Sequence, residues 1–202
     1  MSIKALIWDL EGVLLITNDE SIEESLAKRL NVPVKAVGNI FHDEFNNRVD
    51  VGEFKQCDFW LHALDKMGLP HNRLPELEAF LKEDFFIDQD MLEKVRQYRK
   101  RFKSAMLSNY SEVLRPLLES YWRVDGAFDE IIISWEVKMT KPDPAIFDYT
   151  LKKLKVAKEE AVLIDDRIVN IRGAEESGLH TVHFRNKQQS LNDLEEIIAR
   201  YR

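Results

Sequence analysis

The chain has 202 residues, 45% of them hydrophobic and 32% charged, with a formal net charge of −7. That length holds one well-buried core, or a core carrying a smaller inserted unit. The negative balance argues against nucleic acid or an anionic membrane as the main partner, and no apolar run approaches a membrane span, so an anionic ligand needs cations placed locally.

Ile3-Lys4-Ala5-Leu6-Ile7-Trp8 is a short apolar run ending at a polar cluster, which reads as a buried, parallel strand. It reaches Asp9 too soon for the apolar stretch of a signal peptide. From about Asn18 to Phe86 only helical signals follow. Ser21-Ile22-Glu23-Glu24 predicts a capping box and a helix through Leu30. Pro33 opens a second predicted helix to about Asn47. Val51 to Met67 is a third, stopped by Gly68 and Pro70, and Pro75 to Leu81 a fourth. Cys57 lies in the third as a small packed side chain; as the only cysteine it excludes an intrachain disulfide and suits a reducing compartment, so the protein is expected to be cytoplasmic.

Beyond this block, strands and helices alternate. Strand-like runs recur at Ser104–Leu107, Glu130–Ile133, Ala161–Ile164 and Thr181–Phe184. Helical patterns cover about Asp88 to Arg101, Ser111 to Tyr121, Pro144 to Leu154, Asn170 to Ser177 and Leu191 to Tyr201. The expected architecture is a Rossmann-like, doubly wound α/β sheet. Residues 1–16 and 88–202 would form the core domain, and residues 17–87 an inserted helical cap.

Ligands of a parallel sheet bind outside the carboxyl ends of its strands. Asp9 and Glu11 follow the first strand, Ser108 and Asn109 the second; Lys141 lies after the third, and Asp165 and Asp166 follow the fourth. Carboxylate oxygens are ligands for a hard cation such as Mg2+, and Asp9, Asp165 and Asp166 can supply them. Without a cation the acids would repel one another. Ser108 can donate its hydroxyl to a phosphate oxygen, the Asn109 N–H would face the same place at a helix N-terminus, and Lys141 adds a positive charge. Such a set suits phosphoryl transfer, which needs positioning and charge neutralisation. Asp9 would attack phosphorus, and Glu11, two residues on and on the same side of an extended chain, would protonate the leaving oxygen and then activate water. Each element also has a plain reading: Ser108-Asn109 as a helix cap, Lys141-Pro142-Asp143-Pro144 as a helix-start turn, Asp165-Asp166 as a solvated loop. Their succession after four strands, in compatible types, favours a shared site.

The motifs Asp9-Leu10-Glu11-Gly12-Val13, Ser108-Asn109, Lys141-Pro142-Asp143-Pro144 and Ile164-Asp165-Asp166-Arg167 resemble, in order, those of the haloacid dehalogenase (HAD) superfamily. The helical insert is similar to that family's C1-type cap. Phe41-His42-Asp43-Glu44-Phe45 through Gly52-Glu53-Phe54 is similar to caps of alpha-glucose-1-phosphate phosphatases and of the phosphatase domain of soluble epoxide hydrolases. The resemblance implies Asp9 as nucleophile and metal ligand, the Glu11 carbonyl and Asp166 as direct metal ligands, and Asp165 as a water-mediated one. Asn170 would support the metal from behind, and Ser108, Asn109 and Lys141 would hold the phosphate. It implies a phosphomonoester hydrolase of small sugar or metabolite phosphates, with a 2-haloacid dehalogenase or a weakened phospho-ligand-binding protein as alternatives. One departure stands out: the family's phosphatases usually carry Asp where this chain has Glu11. The longer side chain displaces the acid by about 1.5 Å. Among the remaining candidates, Phe41, His42 and Phe45 read as cap–core packing, Arg48 as a solvated arginine, and His180 and His183 have no assigned role.

Overall fold

The computed structural model describes residues 2–18, 21–38 and 40–201. β1 (Ala5–Trp8) sends Leu6 and Trp8 into one apolar cluster and Ala5 and Ile7 into another. A strand buried on both faces belongs at the centre of a parallel sheet. A tight turn then leads to β2 (Leu15–Thr17) and the cap.

α1 (Ile22–Leu30) starts where the Ser21 hydroxyl accepts from the Glu24 N–H at 3.1 Å, as the capping signal predicts. The helix expected from Pro33 to Asn47 is instead broken; its Asn39 lies outside the described residues. α2 (Val34–Val37) stops at Gly38, where φ is +56°. A 3-10 turn follows at Ile40–His42, and α3 (Glu44–Asp50) starts afresh because the Asp43 carboxylate caps the Asn46 N–H at 2.9 Å. α4 (Gln56–Met67) begins five residues later than expected, after a turn at Gly52, and ends at Gly68 as predicted. α5 (Leu74–Glu83) leads into β3 (Phe85–Ile87). β3 pairs antiparallel with β2, Leu15 opposite Ile87. That strand pair corrects the all-helical reading of this region; three residues a side are too few to display an alternating pattern. The chain thus leaves and re-enters the core through two adjacent strands.

α6 (Gln89–Arg99) is capped by Asp88, and β4 (Lys103–Ser108) follows. α7 (Leu114–Leu117) runs on into a π-helical turn at Leu118–Trp122. β5 (Glu130–Ile133), α8 (Ser134–Val137), α9 (Pro144–Leu154), β6 (Ala161–Asp165), α10 (Ile168–Glu176), β7 (His180–His183) and α11 (Lys187–Arg200) complete the chain. The five long strands lie in the order β5-β4-β1-β6-β7, all parallel. Met106, Val162 and Ile164 join the apolar cluster that α6 and α11 cover; Ala105, Leu107 and Leu163 join the one that α9 and α10 cover. This is the doubly wound sheet with a helical cap that the sequence predicts. The chain steps outward from β1 to β4 and β5, then crosses back to β6, so a switch point lies beside β1. Among the described residues no helix is long and apolar enough to cross a membrane.

Candidate active site

Three acids meet at the carboxyl ends of β1 and β6. Asp9 follows β1, its N–H held by the Ile164 carbonyl at 2.9 Å; Asp165 ends β6, and Asp166 comes next. One carboxylate oxygen from each lies within 4.8 Å of the others. Asp166 is the least buried of the three. The Lys141 ammonium sits 2.8 Å from Asp9 Oδ1 and 2.6 Å from Asp165 Oδ2, and is itself only 4% exposed. Asp165 is further held by the Arg167 N–H at 2.9 Å and by the Asn170 amide at 3.0 and 3.1 Å.

Close backbone approaches make this assembly possible. Gly12 has φ +75°, and a Cβ there would lie 2.5 Å from Asp166 Oδ2. Gly173 packs α10 against the Lys141 loop; a Cβ there would lie 2.7 Å from the Pro142 carbonyl oxygen. Asn109 clamps the same loop, its amide donating to the Lys141 carbonyl at 2.8 Å and its oxygen accepting the Lys141 N–H at 2.9 Å.

The charges do not balance. Burial, and then the Asp165 carboxylate, push the Asp9 carboxyl well above the usual carboxylate range, against the pull of Lys141. Burial also works against ionised Asp165, but Lys141 and the surrounding donors outweigh it and hold that carboxyl low. Burial followed by Asp165 raises Asp166. Burial followed by Asp166 raises Glu11 to about 7. One ammonium thus faces a surplus of carboxylates. The oxygen-rich set fits a hard divalent cation, and Asn170, bonded to Asp165 and with its buried Oδ1 unpartnered among the described residues, is in keeping with a role behind a metal shell.

A cavity of about 750 Å³ opens between this cluster and the cap. Asp9, Glu11, Asn109, Lys141, Asp166 and Asn170 line it from the core. Asp165 and Ser108 do not; Asp165 is enclosed behind Lys141, and Ser108, 1% exposed, ends β4 beneath Asn109. The Asn109 N–H is not at a helix N-terminus as expected, because α7 starts only at Leu114; the side chain's clamp on the Lys141 loop is its visible work. Phe41 and His42 reach the cavity wall, whereas Phe45 stacks between Phe54 and His62. Arg48 pairs with Glu53 at 2.7 Å.

Cavity residues without a role in the sequence reading include Asp50, Tyr110 and Arg167; a support was also without one, since His183 Nε2 donates to the Asp166 carbonyl at 2.9 Å. Tyr110 directly follows a named motif and Arg167 ends one, which was the available signal; nothing local marks Asp50.

Comparison with known proteins agrees with this geometry. The pattern of the haloacid dehalogenase-like hydrolases matches residues 3–178. The chain is 36% identical to mouse bifunctional epoxide hydrolase 2 over 98% of its own length but spans only 39% of that protein. It is 26% identical to the phosphorylated carbohydrates phosphatase of Thermotoga maritima, over 94% of this chain and 88% of that one. A HAD family enzyme from Bacteroides thetaiotaomicron, solved in complex with magnesium and inorganic phosphate, superposes with a TM-score of 0.68 at 23% identity, over 89% of this chain and 93% of the other. On the family pattern and the shared fold, this chain belongs to the haloacid dehalogenase-like hydrolase family.

Proposed function

We propose that the protein is a magnesium-dependent phosphomonoester hydrolase of small phosphorylated metabolites, working through a phospho-aspartate on Asp9 beneath a cap formed by residues 17–87. The observation that carries this reading is the state of Asp9. Its Oδ1 accepts from the Leu10 N–H at 2.7 Å and from Lys141, while Oδ2 has no hydrogen bond among the described residues and the side chain lines the cavity. One oxygen is pinned and the other is left to react. The phosphatase relatives and the magnesium–phosphate complex of a like-folded enzyme support the same reading.

Asp9, Asp166 and the Glu11 carbonyl would hold Mg2+, with Asp165 and Asn170 behind them; the ion would neutralise phosphate charge and remove the repulsion among the acids. Asp9 Oδ2 attacks phosphorus, and the bond from phosphorus to the ester oxygen breaks. Glu11, its carboxyl raised to about 7 chiefly by burial, passes its proton to that oxygen as the alcohol leaves. The Glu11 carboxylate then takes a proton from water, whose oxygen displaces Asp9 from phosphorus and releases inorganic phosphate. Lys141 stabilises the charge on the nucleophile, and Asn109 keeps Lys141 in place. The unpaired Cys57 suits a reducing, cytoplasmic setting.

The test is phosphate release from para-nitrophenyl phosphate and a panel of phosphorylated metabolites, in magnesium and in EDTA. Turnover should require magnesium and vanish in Asp9→Asn. Magnesium-independent halide release from 2-chloropropionate, with phosphate esters left intact, would overturn the proposal in favour of a dehalogenase.

A further inference from the structure

The cap contributes two acids to the cavity wall. Glu23 has a partner, His42 Nε2, at 3.6 Å. Asp50, at the end of α3, forms no ion pair among the described residues. Its Oδ2 accepts one long hydrogen bond, at 3.4 Å, from the Asn46 amide, which also donates to the Phe41 carbonyl at 3.1 Å. Asp50 is nevertheless only 9% exposed. A buried carboxylate with a single long hydrogen bond is poorly satisfied, so its place in a ligand cavity needs an explanation.

The core holds Asp50 there deliberately close. The Ser134 hydroxyl, fully buried at the β5–α8 junction, donates to the Asp50 carbonyl at 2.7 Å and accepts the Tyr110 N–H at 3.0 Å. On the far side of the turn, the Gln56 N–H donates to Glu112 at 3.1 Å, and the Gln56 side-chain oxygen accepts from the Ser111 hydroxyl at 2.5 Å. Both ends of the cap turn are therefore tied to loops following β4 and β5. The tie brings Asp50 near Glu11, whose charge acts on it, and near Tyr110, whose hydroxyl makes no hydrogen bond among the described residues.

We propose that Asp50 determines specificity, its carboxylate accepting hydrogen bonds from hydroxyls of the leaving alcohol, so that the site selects phosphate monoesters of polyhydroxylated alcohols over those of apolar or aromatic ones. The inference rests on the hydrolase reading above and adds a residue and a ligand chemistry to it. The ester oxygen must lie beside Glu11 to receive a proton, which places the rest of the alcohol toward the cap. Tyr110, whose hydroxyl can donate and accept, and Asn46 line the same wall. These groups both donate and accept, which suits hydroxyls; an ammonium would require acceptors alone. Sites built to bond a substrate hydroxyl discriminate strongly against analogues that lack it, because the protein group is then left unpaired.

The experiment compares kcat/KM in magnesium for glucose 1-phosphate, glucose 6-phosphate and glycerol 3-phosphate with values for para-nitrophenyl phosphate, octyl phosphate and phosphoethanolamine. Asp50→Leu should lower the polyol esters by about a hundredfold and leave para-nitrophenyl phosphate within about threefold. Asp50→Asn, which keeps the shape and one acceptor, should fall between. Parallel loss on all esters, no loss on any, or loss confined to phosphoethanolamine would overturn the proposal. A second readout does not depend on turnover: in the Asp9→Asn background, calorimetric affinity for glucose 6-phosphate should fall at least tenfold when Asp50→Leu is added, and an unchanged affinity would also overturn it. If the wild-type protein hydrolyses none of the esters, the hydrolase reading falls, while the affinity comparison still decides the role of Asp50.

Discussion

Asp50→Asn should stabilise the metal-free protein, and only above mildly acidic pH. In the folded chain, burial first and then the Glu11 charge raise the Asp50 carboxyl from 3.8 to about 7, with Arg167 and Lys141 pulling the other way. The unfolded chain has no such environment, so there the carboxyl ionises near its ordinary value. Below about pH 3 both states hold the proton, and Asp50 places no burden on folding. As pH rises toward 7 the unfolded state ionises first and gains relative stability; above 7 both are ionised and the penalty is constant. Each pH unit of displacement is worth about 1.4 kcal/mol, so the full penalty is of the order of 4 kcal/mol, and about 3 kcal/mol of it develops between pH 5 and 8. That is a large share of the 5–15 kcal/mol typical of a domain. Urea unfolding of both proteins in EDTA, at intervals from pH 5 to 8, measures it directly. The stability difference should widen in favour of the variant up to about pH 7 and then level off. A difference that does not move with pH would refute the claim that this carboxyl is poorly solvated. A variant both more stable and less selective would be the expected trade at a functional position.

Glu11→Asp shortens the acid by about one carbon–carbon bond, roughly 1.5 Å, and should change turnover on sugar phosphates by at least about tenfold; unchanged turnover would remove Glu11 from proton transfer. Gly12→Ala places a methyl group against Asp166 at φ +75° and should cost about 1–3 kcal/mol, with weaker magnesium binding read from the melting shift on titration. Equal melting shifts in variant and wild type would contradict the close approach at Asp166. Lys141→Met leaves Asp9 and Asp165 facing each other without an ammonium, so magnesium should raise its melting temperature more than it raises that of the wild type. A smaller rise would show that Lys141 is not what offsets these carboxylates.

The cluster of acids was legible because it follows strands that are apolar on both faces. Ala5–Trp8 and Ala161–Asp165 can be buried in only one kind of sheet, and whatever polar residue comes next must stand at its carboxyl edge. The Ser21 cap was legible for a similar local reason, since its side chain satisfies an N–H three residues on. The Asp43 cap carries the same signal, yet it lay inside a pattern that continued apolar on both sides, and so the break before α3 went unread. Asn109 lines the cavity, but its bonds to the Lys141 main chain had no signal in the sequence. Its clamp on Lys141 spans 32 residues and exists only once β4 and the Lys141 loop are neighbours.

Selectivity is harder to read for a physical reason. Asp50 gains its environment from Ser134, Tyr110 and Glu11, which come from three separate parts of the chain. None of these residues is unusual alone; a serine after a strand and an acid at a helix end are both ordinary. What makes them a specificity device is that the core donates a hydroxyl to the main chain of the cap, fixing where the acid stands without satisfying the acid itself. Chains can share the strand-end acids and still choose different alcohols, provided the residue held by that tie differs. It follows that exchanging position 50 while keeping Ser134 should redirect substrate choice with the chemistry intact, whereas Ser134→Ala should loosen selectivity without favouring any new class of ester.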